Sequence, residues 1–222
     1  LIGAVLSSTD AASVFAILRK HKLNLKDGTA SILEVESGSN DPVSYLLTIV
    51  AVSIATTGGF GNVIGTIAIQ LVMGIVVGVV FAKITIAILM KTNLVSDGLD
   101  TIFMIASVLF CYALTAFFGG NAYLSVYLFG IYTGNQKIRK KNELIPFFDG
   151  VTSLAQILIF FLIGLLTFPH QMPEIIGIAL AVVVIITLVA RPLAVFFLLK
   201  SLKCPWNQCW LIAWAGLRGA SS

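Results

Sequence analysis

Asp10, Glu34, Glu36, Asp41, Arg191 and Arg218 all stand within long apolar stretches of this 222-residue chain. If those stretches lie in a lipid bilayer, each buried charge costs at least about 2.5–3.5 kcal/mol on insertion scales. Each therefore marks a site or needs a partner. A carboxylate at such depth does not stay bare, because either a proton or a desolvated cation neutralises it. Two neighbouring carboxylates could instead share one proton and activate water. An arginine keeps its proton, so it needs a carboxylate or several carbonyls around it.

The spacing of these residues is informative. Ser7-Ser8-Thr9-Asp10 interrupts the first apolar run roughly 15 Å above the basic Arg19, counted at 1.5 Å per helical residue. Hydroxyl and carboxyl side chains compete for backbone hydrogen bonds, so this string predicts a local helix break. Broken helices at mid-membrane are a common way to expose carbonyls to an ion. A second run carries Glu34-Val35-Glu36-Ser37-Gly38-Ser39-Asn40-Asp41-Pro42. Ser37 and Asp41 are four apart and share a helix face with Glu34, and Glu36 and Asn40 form a second such pair. Asp41 falls about 20 Å up if the helix starts near Gly28, and Glu34 and Glu36 are shallower and could line a water-filled funnel. Arg218, inside Gly216-Leu217-Arg218-Gly219-Ala220, stands about 16 Å above the loop that precedes it. Its candidate partners are Glu36, Asp10 and Asp41. Arg191 precedes Pro192, and is expected to snorkel or to bond carbonyls that the proline loosens.

These residues need elements that cross a bilayer. The chain is 58% hydrophobic and 11% charged, against about 45–50% apolar and 25% charged in soluble domains. Apolar runs separated by polar or Gly/Pro-rich breaks give eight segments, at 1–19, 29–56, 63–90, 99–118, 122–134, 151–168, 174–199 and 207–222. If every segment crosses, one side receives Arg19, Lys20, Lys22, Lys26, Lys91, Lys137, Arg139, Lys140, Lys141, Lys200 and Lys203. Loops 57–62, 119–121 and 169–173 on the other side hold no Lys or Arg. The basic side is cytoplasmic by the positive-inside rule, which also accounts for the net charge of +4 without nucleic acid; basic–aromatic interleaving is absent too. Trp206 and Trp210 are expected to anchor the start of the last helix at the interface. Cys111, Cys204 and Cys209 lack zinc spacing and read as reduced structural thiols. No signal peptide is readable. The chain starts at Leu1 and stops at Ser222 within apolar runs, so we expect it to be a fragment of a longer fold.

Gly38-Ser39-Asn40-Asp41-Pro42 preceded by Glu36-Ser37, Ser8-Thr9-Asp10, Ala190-Arg191-Pro192 and Gly216-Leu217-Arg218-Gly219-Ala220 resemble the monovalent cation:proton antiporter superfamily. Phe148-Asp149-Gly150 and the stretch from Ala155-Gln156 to Leu166 resemble its bacterial NhaP-type, cell-volume-regulation branch of potassium/proton antiporters. The resemblance implies an all-α polytopic membrane protein, with inverted repeats and two crossed discontinuous helices, here partial. It implies an ion-binding core from 1–60 and 174–222, and a linker helix and dimerisation scaffold over about 63–148, with 149–173 as an unassigned boundary. Asp41 then resembles the carboxylate that alternately holds a monovalent cation (potassium or sodium) and a proton. Asn40 belongs to the Asn-Asp pair of electroneutral members. Asp10 and Ser37 resemble supporting cation ligands, Thr9 contributes its backbone, and Glu36 and Arg218 resemble a structural ion pair. Relatives often have Pro where this chain has Ala11, which leaves the break resting on Ser, Thr and Asp. The implied setting is a bacterial cytoplasmic membrane, with lipid and a second copy of the chain as partners, no cofactor, and a cytosolic regulatory domain outside this segment. Two readings from other classes are a passive cation channel and an intramembrane aspartyl protease. The protease lacks its motifs, since neither Tyr-Asp nor Gly-x-Gly-Asp surrounds Asp10 or Asp41.

Overall fold

A computed structural model of the chain describes residues 2–9, 25, 26, 28–57, 63–91, 99–138, 141–201 and 204–215. Asp10, Ala11, Arg19 and Arg218 fall outside them. Among the described residues every regular element is helical. They are α1 (Ile2–Val5), α2 (Thr29–Thr57), α3 (Val63–Lys91), α4 (Asp100–Phe117), α5 (Ala122–Gly134), α6 (Lys141–Leu166), α7 (Met172–Ile185), α8 (Arg191–Ser201) and α9 (Trp206–Ala215). A short 3₁₀ turn, Pro169–Gln171, precedes α7.

Val63–Met90, Asp100–Phe117, Lys141–Leu166 and Met172–Lys200 are long and apolar enough to cross a membrane. α2 is as long as α3, at 29 residues, but its lower half carries Glu34, Glu36 and Asp41. From α2 to α8 the helices begin and end close to the boundaries that apolarity alone predicts, with one correction; the ends of the first and last runs lie outside the described residues. Residues 141–150, expected as cytoplasmic loop, are the first turns of α6. Charge and Pro146 signal a loop, yet a membrane helix continues into the polar interface while its apolar side chains find a neighbour. Leu144 is buried and Phe148 packs beside it on the α3–α5 cluster.

The seventh apolar run also differs from a plain helix. Between α7 and α8 lies a π-turn, Ile186–Ala190, where the Arg191 amide donates to Ile186, five residues back. Pro192 explains it: the ring has no N–H and crowds the carbonyl four residues earlier, so the chain widens by one residue.

The chain divides into two compact units, Leu1–Ser7 with Gly38–Leu154 and Ser8–Ser37 with Ala155–Ser222. In the first, α3 lies against α5 along Gly74, Gly78 and Ala82, four apart on one face. A Cβ on Gly78 would stand 2.5 Å from the Ser125 carbonyl oxygen and 2.9 Å from its Cα. Lipid offers no hydrophobic drive between helices, so close backbone packing through small residues supplies the attraction. Met104, Cys111, Phe129 and Leu144 complete this core. Thr115 and Ser125, both fully buried, bond each other at 2.8 Å and return to the Cys111 and Ala122 carbonyls. In the second unit Leu33, Val195, Cys209, Ile212 and Ala213 form the core. Phe196 sits between Trp206 and Trp210, with ring centroids 5.3 and 5.0 Å away, and the Lys200 ammonium lies over Trp206. The half-exposed rings of both tryptophans fit the interfacial role expected of them.

Candidate functional site

The break expected near Ser7–Asp10 is present in its described part. α1 ends at Val5, Leu6 and Ser7 turn, and Ser8 and Thr9 have no regular structure although both are buried. Ser, Ser and Thr disfavour a helix there by competing for backbone hydrogen bonds, and the Ser7 hydroxyl donates to the Ala4 carbonyl at 2.8 Å. A buried carbonyl left without a partner is costly, and α2 supplies donors on both sides of the break. In one unit Ser44 Oγ donates to the Ala4 carbonyl at 2.6 Å and lies 3.4 Å from that of Val5. In the other, Ser37 Oγ donates to the Thr9 carbonyl at 2.9 Å. Ser37 and Ser44 are seven apart, two turns along one face of α2.

Between those serines lies the turn that carries the candidate ion ligands. Asn40 and Asp41 are both partly buried, and Pro42 behind them is buried inside the helix. Pro42 cannot donate to the Gly38 carbonyl, so the turn Gly38–Pro42 lacks one rung. The absent side chain of Gly38 leaves room for the Tyr127 ring of α5, which stands where a Cβ would be. Asn121, fully buried at the start of α5, donates from Nδ2 to the Pro42 carbonyl at 2.9 Å. One turn beyond Asp41, the ring of Tyr45 packs tilted against that of Tyr123, centroids 4.8 Å apart, and Tyr112 meets Tyr123 edge-on at 5.9 Å.

Glu36 and Arg191 form an ion pair, Arg191 Nη2 lying 3.1 Å from Oε1 and 3.4 Å from Oε2 of Glu36. The guanidinium also donates to the carbonyls of Ala213 at 3.0 Å and Ile212 at 3.1 Å in the last described turn of α9. Arg191 was expected to snorkel or to bond carbonyls loosened by Pro192; the carbonyls it meets belong to α9 and not to its own helix. It also gives Glu36 a cationic partner. The sequence assignment of that partner to Arg218 lies outside the described residues, as does the assignment of Asp10 as a cation ligand. Glu34 is exposed. Sequence reasoning missed Ser44, Asn121 and Tyr127. Ser44 could have been found from its face, two turns above Ser37; nothing local singles out the other two.

Among the described residues no group of three or more His, Cys, Asp or Glu side chains is arranged to hold a metal ion. The turn Gly38–Pro42 and its neighbours offer a carboxylate, an amide and hydroxyls, oxygen donors of the kind that hard cations take.

The K(+)/H(+) antiporter NhaP of Alkalimonas amylolytica is 36% identical over 222 residues, 99% of this chain and 38% of that protein. The K(+)/H(+) antiporter NhaP2 of Shewanella baltica is likewise 36% identical, over 99% of this chain and 38% of its own length. The chain thus spans well under half of these relatives. The solved structure of the sodium proton antiporter MjNhaP1 from Methanocaldococcus jannaschii at pH 8 matches 99% of the chain with a TM-score of 0.81 at 24% identity, using 56% of that chain. The fold is therefore that of an NhaP antiporter, and the apolar helices make this a multi-pass membrane protein. The family model for the transmembrane region of sodium/hydrogen exchangers matches residues 1–222, so the chain belongs to the sodium/hydrogen exchanger transmembrane family.

Proposed function

We propose that this segment belongs to a secondary antiporter that exchanges a monovalent cation, potassium or sodium, for a proton, with Asp41 as the group both ligands share. The observation that carries the reading is the carboxylate-bearing turn of α2 weakened by Pro42, followed on the same helix by Ser44, which holds the Ala4 carbonyl beside the end of α1. The relatives named as K(+)/H(+) antiporters support potassium as the cation. In this reading Asp41, Asn40, Ser37, the Thr9 carbonyl and Asp10 ligate the cation, and residues 1–60 and 174–222 form the ion-binding core. Residues 63–148 form the scaffold, on which a second copy docks. Glu36 holds the core together with Arg191, and with Arg218 as a further candidate.

Competition for one carboxylate is enough for exchange. An empty, charged Asp41 is too costly to carry across a dry barrier, whereas the protonated or cation-loaded form is neutral. Asn40 beside it contributes oxygen without a second charge, so one proton moves per cation and no current flows. The role is pH, cation and cell-volume homeostasis at a bacterial cytoplasmic membrane.

The test is exchange by the full-length protein in proteoliposomes. Asp41→Asn should abolish cation-dependent proton flux while the protein still folds and inserts; undiminished exchange would refute the assignment. Current proportional to transport would overturn one-for-one stoichiometry. Cation flux that ignores an imposed pH step would favour a channel.

A further inference from the structure

The turn that bears Asp41 is weak by its own chemistry, and α5 supplies what it lacks. Pro42 removes the rung to Gly38, and Gly38 adds backbone freedom at the other end of the same turn. Tyr127 fills the space over Gly38, and the Asn121 amide takes the Pro42 carbonyl at 2.9 Å. A carbonyl has two lone pairs, so it can accept this bond besides a helical one.

Asn121 is itself fixed on every side. Its backbone N–H donates to the Gln70 carbonyl of α3 at 3.0 Å. Its Oδ1 accepts from the Leu124 amide at 3.0 Å, capping α5. Its own carbonyl lies so close to Gly74 that a Cβ there would approach to 2.9 Å. The side chain is fully buried. A buried amide with its donor and acceptor aimed at different helices transmits the position of one to the other.

We propose that Asn121 is a positioning residue for ion exchange: from the α3–α5 junction it fixes the Pro42 carbonyl, and so the register in which the adjoining Asp41 carboxyl meets its ligands. This inference rests on the reading of Asp41 as the exchange site. It makes the scaffold helix α5 a determinant of cation affinity, not only of stability.

Asn121→Ser keeps a capping oxygen but is one bond too short to reach Pro42, and Asn121→Thr behaves alike. Each is measured as the full-length protein in proteoliposomes, with amounts normalised to folded transporter. The expected result is a rise of roughly two- to tenfold in apparent KM for potassium, the range that one lost hydrogen bond gives, with kcat within about twofold of the parent. A residue that merely supports folding would lower the active fraction and leave KM unmoved. The second arm restores the missing rung: Pro42→Ala returns an N–H to the Gly38 carbonyl, so adding Asn121→Ser to Pro42→Ala should change KM far less than it does alone. An unchanged KM in both Asn121 variants, or an equal effect with and without Pro42→Ala, overturns the proposal. Asp41→Asn separates the two levels. If it still exchanges, the site reading itself fails; if it is inactive while the Asn121 variants keep a normal KM, only the positioning role fails.

Discussion

Removing the guanidinium of Arg191 should cost more than removing the charge of Glu36, and the two losses should not add. Arg191 is 10% exposed and Glu36 29% at the side chain. Arg191→Met keeps the length of the side chain but leaves a partly buried carboxylate without this cation, and strips two carbonyls of α9 of a charged donor. Breaking a well-buried pair from one side costs about 3–5 kcal/mol. Water reaches Glu36, so the expected loss is lower, about 2–3 kcal/mol. Glu36→Gln retains an acceptor, and Arg191 keeps both carbonyls, so the expected loss is about 1–2 kcal/mol. In the double variant the uncompensated carboxylate no longer exists, and the combined loss should fall short of the sum by about 1–2 kcal/mol. Unfolding in detergent, followed by heat or denaturant on all four proteins, measures the cycle. Additivity within about 0.5 kcal/mol would show that the pair is not energetically coupled. A larger loss from Glu36→Gln than from Arg191→Met would show that Glu36 serves another cation, with Arg218 the first to examine.

Two further outcomes follow from local geometry. Gly78→Ala places a methyl 2.5 Å from one Ser125 backbone atom and 2.9 Å from another; backbone cannot step aside as a side chain would, so the α3–α5 contact should loosen by about 1–3 kcal/mol, read as a lowered Tm in detergent. Ser37→Ala removes the donor to the Thr9 carbonyl and should raise the apparent potassium KM roughly two- to tenfold, one hydrogen bond's worth, at little change in folded yield; an unaltered KM would remove Ser37 from the ion site.

The residues of α2 illustrate how far local chemistry reaches. A run of Ser, Ser, Thr and Asp disfavours an uninterrupted helix because each side chain competes for backbone hydrogen bonds, so the end of α1 at Val5 agrees with residue type. The missing rung at Pro42 and the thin face at Gly38 are equally local. Depth is local too, because the rise per residue is constant: Glu36 lies about 12 Å above Gly28 and Arg191 about 15 Å above Ser201. Depth could not choose between Arg191 and Arg218 for Glu36, since both stand near the same level. That choice depends on how α2, α8 and α9 meet.

Composition and the recurrence of apolar runs determined a polytopic helical chain, because the bilayer penalises every polar exception within a span. Tertiary packing decided which donor meets which acceptor: Ser37 the Thr9 carbonyl, Asn121 the Pro42 carbonyl, and Arg191 both the Glu36 carboxylate and two carbonyls of α9. Such bonds join residues up to 155 positions apart. No spacing in the chain encodes them, because they depend on the angle and register at which packed helices come to rest.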